Sequence, residues 1–423
     1  MFRGYAEKPP KGWNSWDSFG ASVTEAEVLG NAEVMAEKLK EFGWEYVVVD
    51  IQWYEPHADS CAYHPFAELC QDGYSRLMPA ENRFPSSAGG KGFKPLADAI
   101  HGMGLKFGIH IMRGIPRQAV HSNTNISGTQ KAARDIADPN SICPWNTDMY
   151  GVDASKEGAQ AYYDSLLALY ASWGVDFLKV DDSADSKLYG THTGEIELIR
   201  KAIDRCGRPM VLSLSPGPAP IEAGTFFQRH ANMWRLTDDL WDNWHQLYDM
   251  FGRCGKWSAF VGAGTWPDCD MLPLGHIGTR TVADGSEARM TRFTKDEQRS
   301  LMTLWSIFRS PLMFGGDLRK LDDWTRTLLM EPYLIDAHQN GHDAREVYRK
   351  DDLVIWTAAS EARKYVACFN LSDDPACLPE AAGEWLRSMG GDMHEVWANR
   401  TLSLADAETA LIAPHGVVLY ATR

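Results

Sequence analysis

Tyr46-Val47-Val48-Val49-Asp50 is one aromatic and three β-branched residues in a row, stopping on a carboxylate. A run this short suits a strand buried on both faces, as the strands of a parallel sheet are. Upstream, Thr24 and Glu27 stand at the spacing of a capping box, and Val28, Ala32, Met35, Leu39 and Phe42 continue along one helical face. Another apolar run, at 12–16, precedes that helix. Strand, helix, strand is the repeating unit of a parallel sheet.

The same beat runs onward. Strands are predicted at 12–16, 46–50, 106–111, 177–181, 210–215, 233–237, 258–262 and 311–315. Ala159, Tyr163, Leu166 and Tyr170 mark an intervening helix, and another opens on Thr294 and Glu297 and carries Leu301, Leu304, Trp305 and Phe308. Eight strands with helices between them predict an α/β fold, a (β/α)8 TIM barrel with long loops. Past residue 334 the period changes. Segments 353–357, 364–371, 393–398 and 417–421 read as strands without helices between them, which predicts a C-terminal antiparallel β-sandwich. The expected organisation is a catalytic barrel over 1–334 and a supporting or assembly domain over 335–423.

Composition excludes several classes. Of 423 residues, 44% are hydrophobic and 23% charged, which is neither disordered, collagenous nor coiled-coil. The net charge of −15 repels polyphosphate and argues against nucleic-acid binding. No apolar run approaches the ~20 residues that cross a bilayer, so no membrane partner is expected. Residues 1–11 are polar and carry no signal-peptide core. The eight cysteines form no C-x-x-C pair and stand beside no histidine cluster, so no metal site is expected. They read as free, mostly buried thiols in a reducing compartment, hence a cytoplasmic protein. Sixteen tryptophans hint at carbohydrate, because indole faces stack on the apolar C–H faces of sugar rings, although any single one is better read as core.

In a barrel, functional residues lie at the C-terminal ends of strands. Here Val49 runs into Asp50, Val180 into Asp181 and Asp182, and Thr237 into Asp238 and Asp239. One carboxylate in such a place is usually a helix N-cap. Three strand ends, with Lys179 and Arg235 among them, are harder to dismiss. Paired carboxylates facing one pocket are what glycoside hydrolysis needs, one attacking the anomeric carbon and the other moving the proton. The two cations would depress nearby carboxylate pKa values and bond sugar hydroxyls. The chain has no P-loop, no G-x-S-x-G and no H-E-x-x-H, and neither metal nor cofactor is expected.

At these residues the chain resembles glycoside hydrolase family 27, the α-galactosidase family. The resemblance lies in Pro9-Pro10-Lys11-Gly12-Trp13-Asn14-Ser15-Trp16, Phe177-Leu178-Lys179-Val180-Asp181, Trp234-Arg235-Leu236-Thr237-Asp238-Asp239 and Thr265-Trp266-Pro267-Asp268-Cys269-Asp270-Met271, and continues through Trp305 and Ser310-Pro311-Leu312-Met313-Phe314. It implies the barrel, the C-terminal sandwich, a carbohydrate substrate and a retaining mechanism without metal. Asp181 matches the family's nucleophile. Asp239 matches the acid/base, its spacing from Arg235 favouring it over Asp238. Retention requires the two carboxyls about 5–5.5 Å apart. Trp16 matches an indole lining the sugar subsite, and Asp50, Lys179 and Arg235 match hydroxyl-binding residues. His110 stands where members often carry Tyr, Trp266 matches a pocket aromatic, and Asp270 a supporting acid. Bacterial members often assemble as oligomers, which extends the expectation of a homo-oligomer to this chain.

Two departures from the family bear on substrate. α-Galactosidases end the second strand in two consecutive Asp followed by Cys-Trp, whereas here Asp50-Ile51-Gln52-Trp53 stands. Ile51 replaces a carboxylate that contacts the hydroxymethyl end of the sugar. Losing one charged hydrogen bond costs on the order of 1.5–3 kcal/mol, roughly 10- to 150-fold in selectivity. An apolar residue there suits β-L-arabinopyranose, which has the ring configuration of α-D-galactose without C6, and resembles the family's β-L-arabinopyranosidases. The second departure is Leu214-Ser215-Pro216, where galactosidases have Cys-Glu-Trp. Ser215 could bind a 2-hydroxyl, or leave room for an N-acetyl group. Gln52 and Ser183 also stand at two of the family's half-cystine positions. The expectation is a retaining exo-glycosidase acting on terminal β-L-arabinopyranosides, with α-D-galactosides cleaved more slowly. α-Galactosidase proper and α-N-acetylgalactosaminidase are the alternatives within the family, and an inert carbohydrate-binding protein the alternative outside it.

Overall fold

The computed structural model describes residues 2–60, 62–281, 287–390 and 392–422. Eight short strands form its first sheet: β1 (Lys11–Asn14), β2 (Tyr46–Val49), β3 (Lys106–Met112), β4 (Phe177–Asp181), β5 (Val211–Leu214), β6 (Met233–Arg235), β7 (Trp266–Asp268) and β8 (Leu312–Phe314). They are parallel neighbours in the order β7-β6-β5-β4-β3-β2-β1-β8. Leu272, just past β7, pairs in parallel with Phe314 of β8 and closes the ring. This is a (β/α)8 barrel. The all-apolar reading of β2 holds because every one of its residues is buried, between barrel interior and helix layer.

The helix before β2 spans Glu25–Lys38 and buries Val28, Ala32 and Met35, while Glu27 reaches back to the Thr24 backbone N–H at 3.0 Å. The helix before β8 spans Lys295–Phe308 and begins with the same device: Thr294 N–H donates to Glu297 and Glu297 N–H donates to Thr294 Oγ1.

The seventh strand corrects the sequence reading. Segment 258–262 opens with a 3-10 turn, Ser258–Phe260, that follows directly on helix Trp244–Trp257. The strand itself is Trp266-Pro267-Asp268. Proline lacks an N–H and is disfavoured in a central strand. Here β7 keeps a ladder with β6 alone, and contact with β8 is delayed to Leu272.

Helix Pro332–Asn340 runs across the division expected at 334, and an antiparallel sheet follows. Its strands are β9 (His342–Lys350), β10 (Leu353–Ala359), β11 (Lys364–Asn370), β12 (Met393–Glu395), β13 (Arg400–Leu402) and β14 (Val417–Thr422), in the order β9-β10-β11-β14-β12-β13. The second layer of this C-terminal sandwich is a ribbon, Ala376–Cys377 with Leu411–Ile412, together with helices Glu380–Met389 and Leu404–Glu408. Those helices correct the expectation of strands alone. Ile355, Val366, Cys368 and Tyr420 pack against Leu386, Met389 and Ile412 on that side. On the opposite face Trp356, Ala367, Phe369 and Leu419 join the barrel core.

Candidate active site

Parallel packing brings the C-terminal ends of all eight strands to one rim, and the carboxylates of the sequence meet there. Asp50, immediately after β2, is almost fully buried. Its Oδ2 accepts from Asn14 of β1 at 2.8 Å and from Lys179 of β4 at 2.8 Å, and its N–H donates to Ser15 Oγ. Burial pushes the Asp50 carboxyl up, but the Lys179 ammonium, His110 and the Asn14 hydrogen bond together hold the acid below its usual range. Burial likewise pulls Lys179 down, and the charges of Asp50 and Asp181 carry it above the ordinary lysine value.

Asp181 is the last residue of β4. His110 of β3, opposite Lys179 in the strand register, donates from Nε2 to Asp181 Oδ2 at 3.1 Å, and the Asp182 N–H donates to Oδ1 at 2.9 Å. Burial again raises the carboxyl, and the His110 hydrogen bond with the Lys179 charge brings it well below the usual carboxylate range. Asp182 has a left-handed φ of 54°. Arg113 braces that turn: its N–H donates to Asp181 O, its Nε to Asp182 O at 2.7 Å, and its guanidinium pairs with Asp182 and Glu195.

Across the barrel, buried Arg235 of β6 links two acids. Its Nη2 is 2.6 Å from Asp270 Oδ2 and 3.1 Å from Asp239 Oδ1. Asp239 itself is about half exposed, with a side-chain exposure of 47%. Asp238, its neighbour, pairs instead with Lys187 at 3.1 Å. Asp17, on the turn after β1, is fully buried and its Oδ2 has no partner. Burial first, then the charges of Asp270 and Asp239, push its carboxyl well up, although Lys179 and Arg235 pull the other way.

These groups surround one cavity of about 440 Å³, lined by Trp16, Asp50, Ile51, Tyr63, Trp145, Lys179, Asp181, Lys187, Pro216, Asp238 and Asp239. A cavity of similar volume lies among the C-terminal helices, around Glu380, Arg387 and Glu408. Its one ion pair sits on exposed side chains, whereas the barrel cavity converges buried acids and cations, so the chemistry belongs in the barrel.

Among the residues expected from sequence, Trp16, Asp50, Ile51, Lys179, Asp181 and Asp239 share that cavity. His110, Arg235 and Asp270 stand behind the wall and touch it through Asp181 and Asp239. Ser215 is buried beside Pro216, its Oγ without a partner, and does not reach the wall. Trp266 is a correction. It opens β7 at the N-terminal end of the barrel, donates from Nε1 to Ala6 O at 2.8 Å, and stacks under Arg309. It is core at the floor of the molecule, because the aromatic begins its strand instead of ending it. Sequence reasoning missed Tyr63, Trp145 and Lys187, which come from long loops without periodicity; nothing in the spacing of the two aromatics ties them to a strand end.

Against known proteins, residues 152–340 match the family model described as Alpha galactosidase A. The crystal structure of a GH27 β-L-arabinopyranosidase from Geobacillus stearothermophilus in complex with arabinose superposes with a TM-score of 0.94 at 61% identity, covering 100% of this chain and 98% of that one. The chain belongs to glycoside hydrolase family 27. Family 27 relatives also include an α-galactosidase from Cyamopsis tetragonoloba, 27% identical over 99% of this chain and 86% of its own, and an α-N-acetylgalactosaminidase from Gallus gallus, 25% identical over 99% and 94%. As a family 27 member this chain is a glycosidase, and its substrates are carbohydrates. Among the described residues no helix is long and apolar enough to cross a membrane. Of the cysteines, Cys61 lies outside the described residues and the other seven are free thiols, four of them buried.

Proposed function

We propose that this glycosidase is a retaining exo-β-L-arabinopyranosidase. The observation that carries the reading is Ile51, an apolar side chain on the cavity wall, 2% exposed, next in sequence to the Asp50–Lys179 pair. A hydroxymethyl group laid against it would lose its hydrogen bonds to water and gain none, whereas a pentopyranose presents only a CH₂. The 61%-identical relative named a β-L-arabinopyranosidase supports the same preference.

In this mechanism Asp181 attacks the anomeric carbon and forms a covalent glycosyl-enzyme. Asp239 protonates the departing oxygen and then takes the proton of the incoming water. The lowered pKa of Asp181 supports the first role, since a nucleophile must be ionised. The partial exposure of Asp239 supports the second, since a proton carrier must meet both leaving group and water. Asp50 and Lys179 bind ring hydroxyls as a charged pair. Seven thiols, free among the described residues, support a cytoplasmic location.

The test is kcat/KM for p-nitrophenyl β-L-arabinopyranoside beside p-nitrophenyl α-D-galactopyranoside, in wild type and Ile51→Asp. Wild type is expected to favour the arabinoside by about tenfold or more, a gap of about 1.4 kcal/mol, and Ile51→Asp to move the ratio toward the galactoside. A wild-type preference for the galactoside makes the protein an α-galactosidase, and a ratio unmoved by Ile51→Asp means that the far end of the sugar is read elsewhere.

A further inference from the structure

Lys11, Tyr46 and Lys106 are the first residues of β1, β2 and β3, three neighbouring strands of the barrel. They therefore meet at its N-terminal end, opposite the rim that carries Asp181 and Asp239. With Lys8, Glu7, Glu45 and Gly43 they line a cavity of about 320 Å³. Three lysines face two glutamates there, a basic balance in a chain whose net charge is −15.

Lys11 is the unusual member. It is 1% exposed, its Nζ donates to Phe42 O, and that nitrogen lies 5.2 Å from the centre of the Trp44 ring. Among the described residues it has no ion-pair partner, because Glu45, the acid whose charge acts on it, is taken by Lys106 at 2.8 Å. A buried ammonium is normally paired, since an uncompensated charge in a low dielectric is costly. Alone, Lys11 holds its proton weakly: burial pulls it down to about 7, and the Glu45 charge offsets only part of the drop. Space adjoins it. A Cβ on Gly43 would stand 3.7 Å from the Lys11 Nζ, and Gly43, with a φ of 85°, has no side chain to screen that nitrogen from the cavity it lines. Lys8, exposed and donating to Asn340 Oδ1 at 2.9 Å, and half-buried Lys106 stand on the same cavity. An anion in this space would give Lys11 its counter-charge.

We propose that this cavity is a binding site for the phosphate group of a small molecule, with Lys11 as the buried cation that receives it and Lys8 and Lys106 flanking it. A phosphate dianion offers oxygens to several ammonium donors at once, and lysine binds it as a point charge. The volume suits free phosphate or the phosphate ester of a small polyol, whose hydroxyls the Glu7 and Glu45 carboxylates are placed to accept. The site lies away from the catalytic carboxylates and stands whatever glycoside the enzyme cleaves.

The test is calorimetric titration of the full chain at fixed ionic strength, with inorganic phosphate and with ribose 5-phosphate as separate probes, in wild type, Lys11→Met and Lys106→Gln. Wild type is expected to bind one probe molecule per chain. Lys11→Met keeps the bulk of the side chain and deletes the ammonium, and is expected to raise the dissociation constant about 10-fold or more; Lys106→Gln should raise it less. Tighter binding of ribose 5-phosphate than of phosphate assigns the site to an ester, and equal affinity assigns it to free phosphate. Without probe, Lys11→Met should keep the wild-type thermal midpoint and wild-type turnover of an aryl glycoside, which separates a lost site from a lost fold. Lys106→Gln decides the matter should Lys11→Met fail to fold. No binding of either probe by wild type, or a dissociation constant unchanged in the folded variants, overturns the site.

Discussion

At the scale of single residues, the chemistry turns on why one buried acid is held below its usual pKa and another is pushed above it. Asp181 and Asp17 are both enclosed near the same cations, but Asp181 accepts from His110 at 3.1 Å and from the Asp182 N–H, whereas Asp17 Oδ2 has no donor. Hydrogen bonds to the charged form and the Lys179 charge lower Asp181, whereas the charges of Asp270 and Asp239 add to burial in raising Asp17. Asp181→Asn should therefore lose several orders of magnitude in kcat with the fold intact, and external azide should restore turnover by replacing the missing nucleophile; activity near wild type would remove Asp181 from that role. His110→Phe keeps bulk in the wall and deletes the donor. Without it the Asp181 carboxyl rises, a smaller fraction is ionised in acid, and the acidic limb of the kcat/KM profile moves to higher pH. A limb that stays where it is would mean that another group sets it.

At the scale of elements, helix Lys295–Phe308 shows how local signals and long-range packing cooperate. Thr294 and Glu297 cap its first turn, and Glu297 also accepts from His415 of the C-terminal domain at 2.8 Å. Thr294→Ala should cost about 0.5–2 kcal/mol, the usual effect of losing an N-cap, read as a drop in thermal midpoint beside unchanged KM. The cap was legible in the sequence because it is local, and so were β2, whose burial on both faces leaves an unbroken apolar run, and β4, whose apolar residues are interrupted by Lys179 before the strand ends on Asp181. Other elements were hidden for physical reasons. β7 is three residues with a proline at its centre, while the apolar stretch at 258–262 that imitates it belongs to the turn ending a helix. β9, His342–Lys350, lies at the edge of its sheet, where charge is tolerated and protects against mispairing, so it carries no apolar run and was not among the predicted strands. The catalytic floor was legible because its acids end strands. Its mouth was not, because Tyr63 and Trp145 are brought together by loops whose course no periodicity encodes. The tryptophan excess misled in degree: Trp13, Trp44, Trp53, Trp234, Trp266, Trp305 and Trp356 are fully buried core, and only Trp16 and Trp145 face the cavity.

At the scale of the whole molecule, the two parts share one core. Trp356 of β10 meets Phe308 edge-on at 6.0 Å, and Phe369 of β11 meets Phe251 at 4.9 Å. Around them, Ser300 donates to His415 O, Trp397 donates to Thr303 Oγ1 at 3.0 Å, and His415 stacks on Trp244 at 3.9 Å. Interfaces between loosely tethered domains are small and more polar than this, and such domains unfold separately. Here the inward face of the C-terminal sheet packs on the barrel helices, and those helices would expose Phe251 and Phe308 without it. The two parts should therefore lose structure together. Scanning calorimetry is expected to give a single endotherm, and Trp356→Ala, which opens a cavity at the junction at a cost of about 3–5 kcal/mol, should lower that one transition without splitting it. Two resolved transitions in the wild type, or a variant in which only the smaller part melts early, would show that the shared core does not couple them.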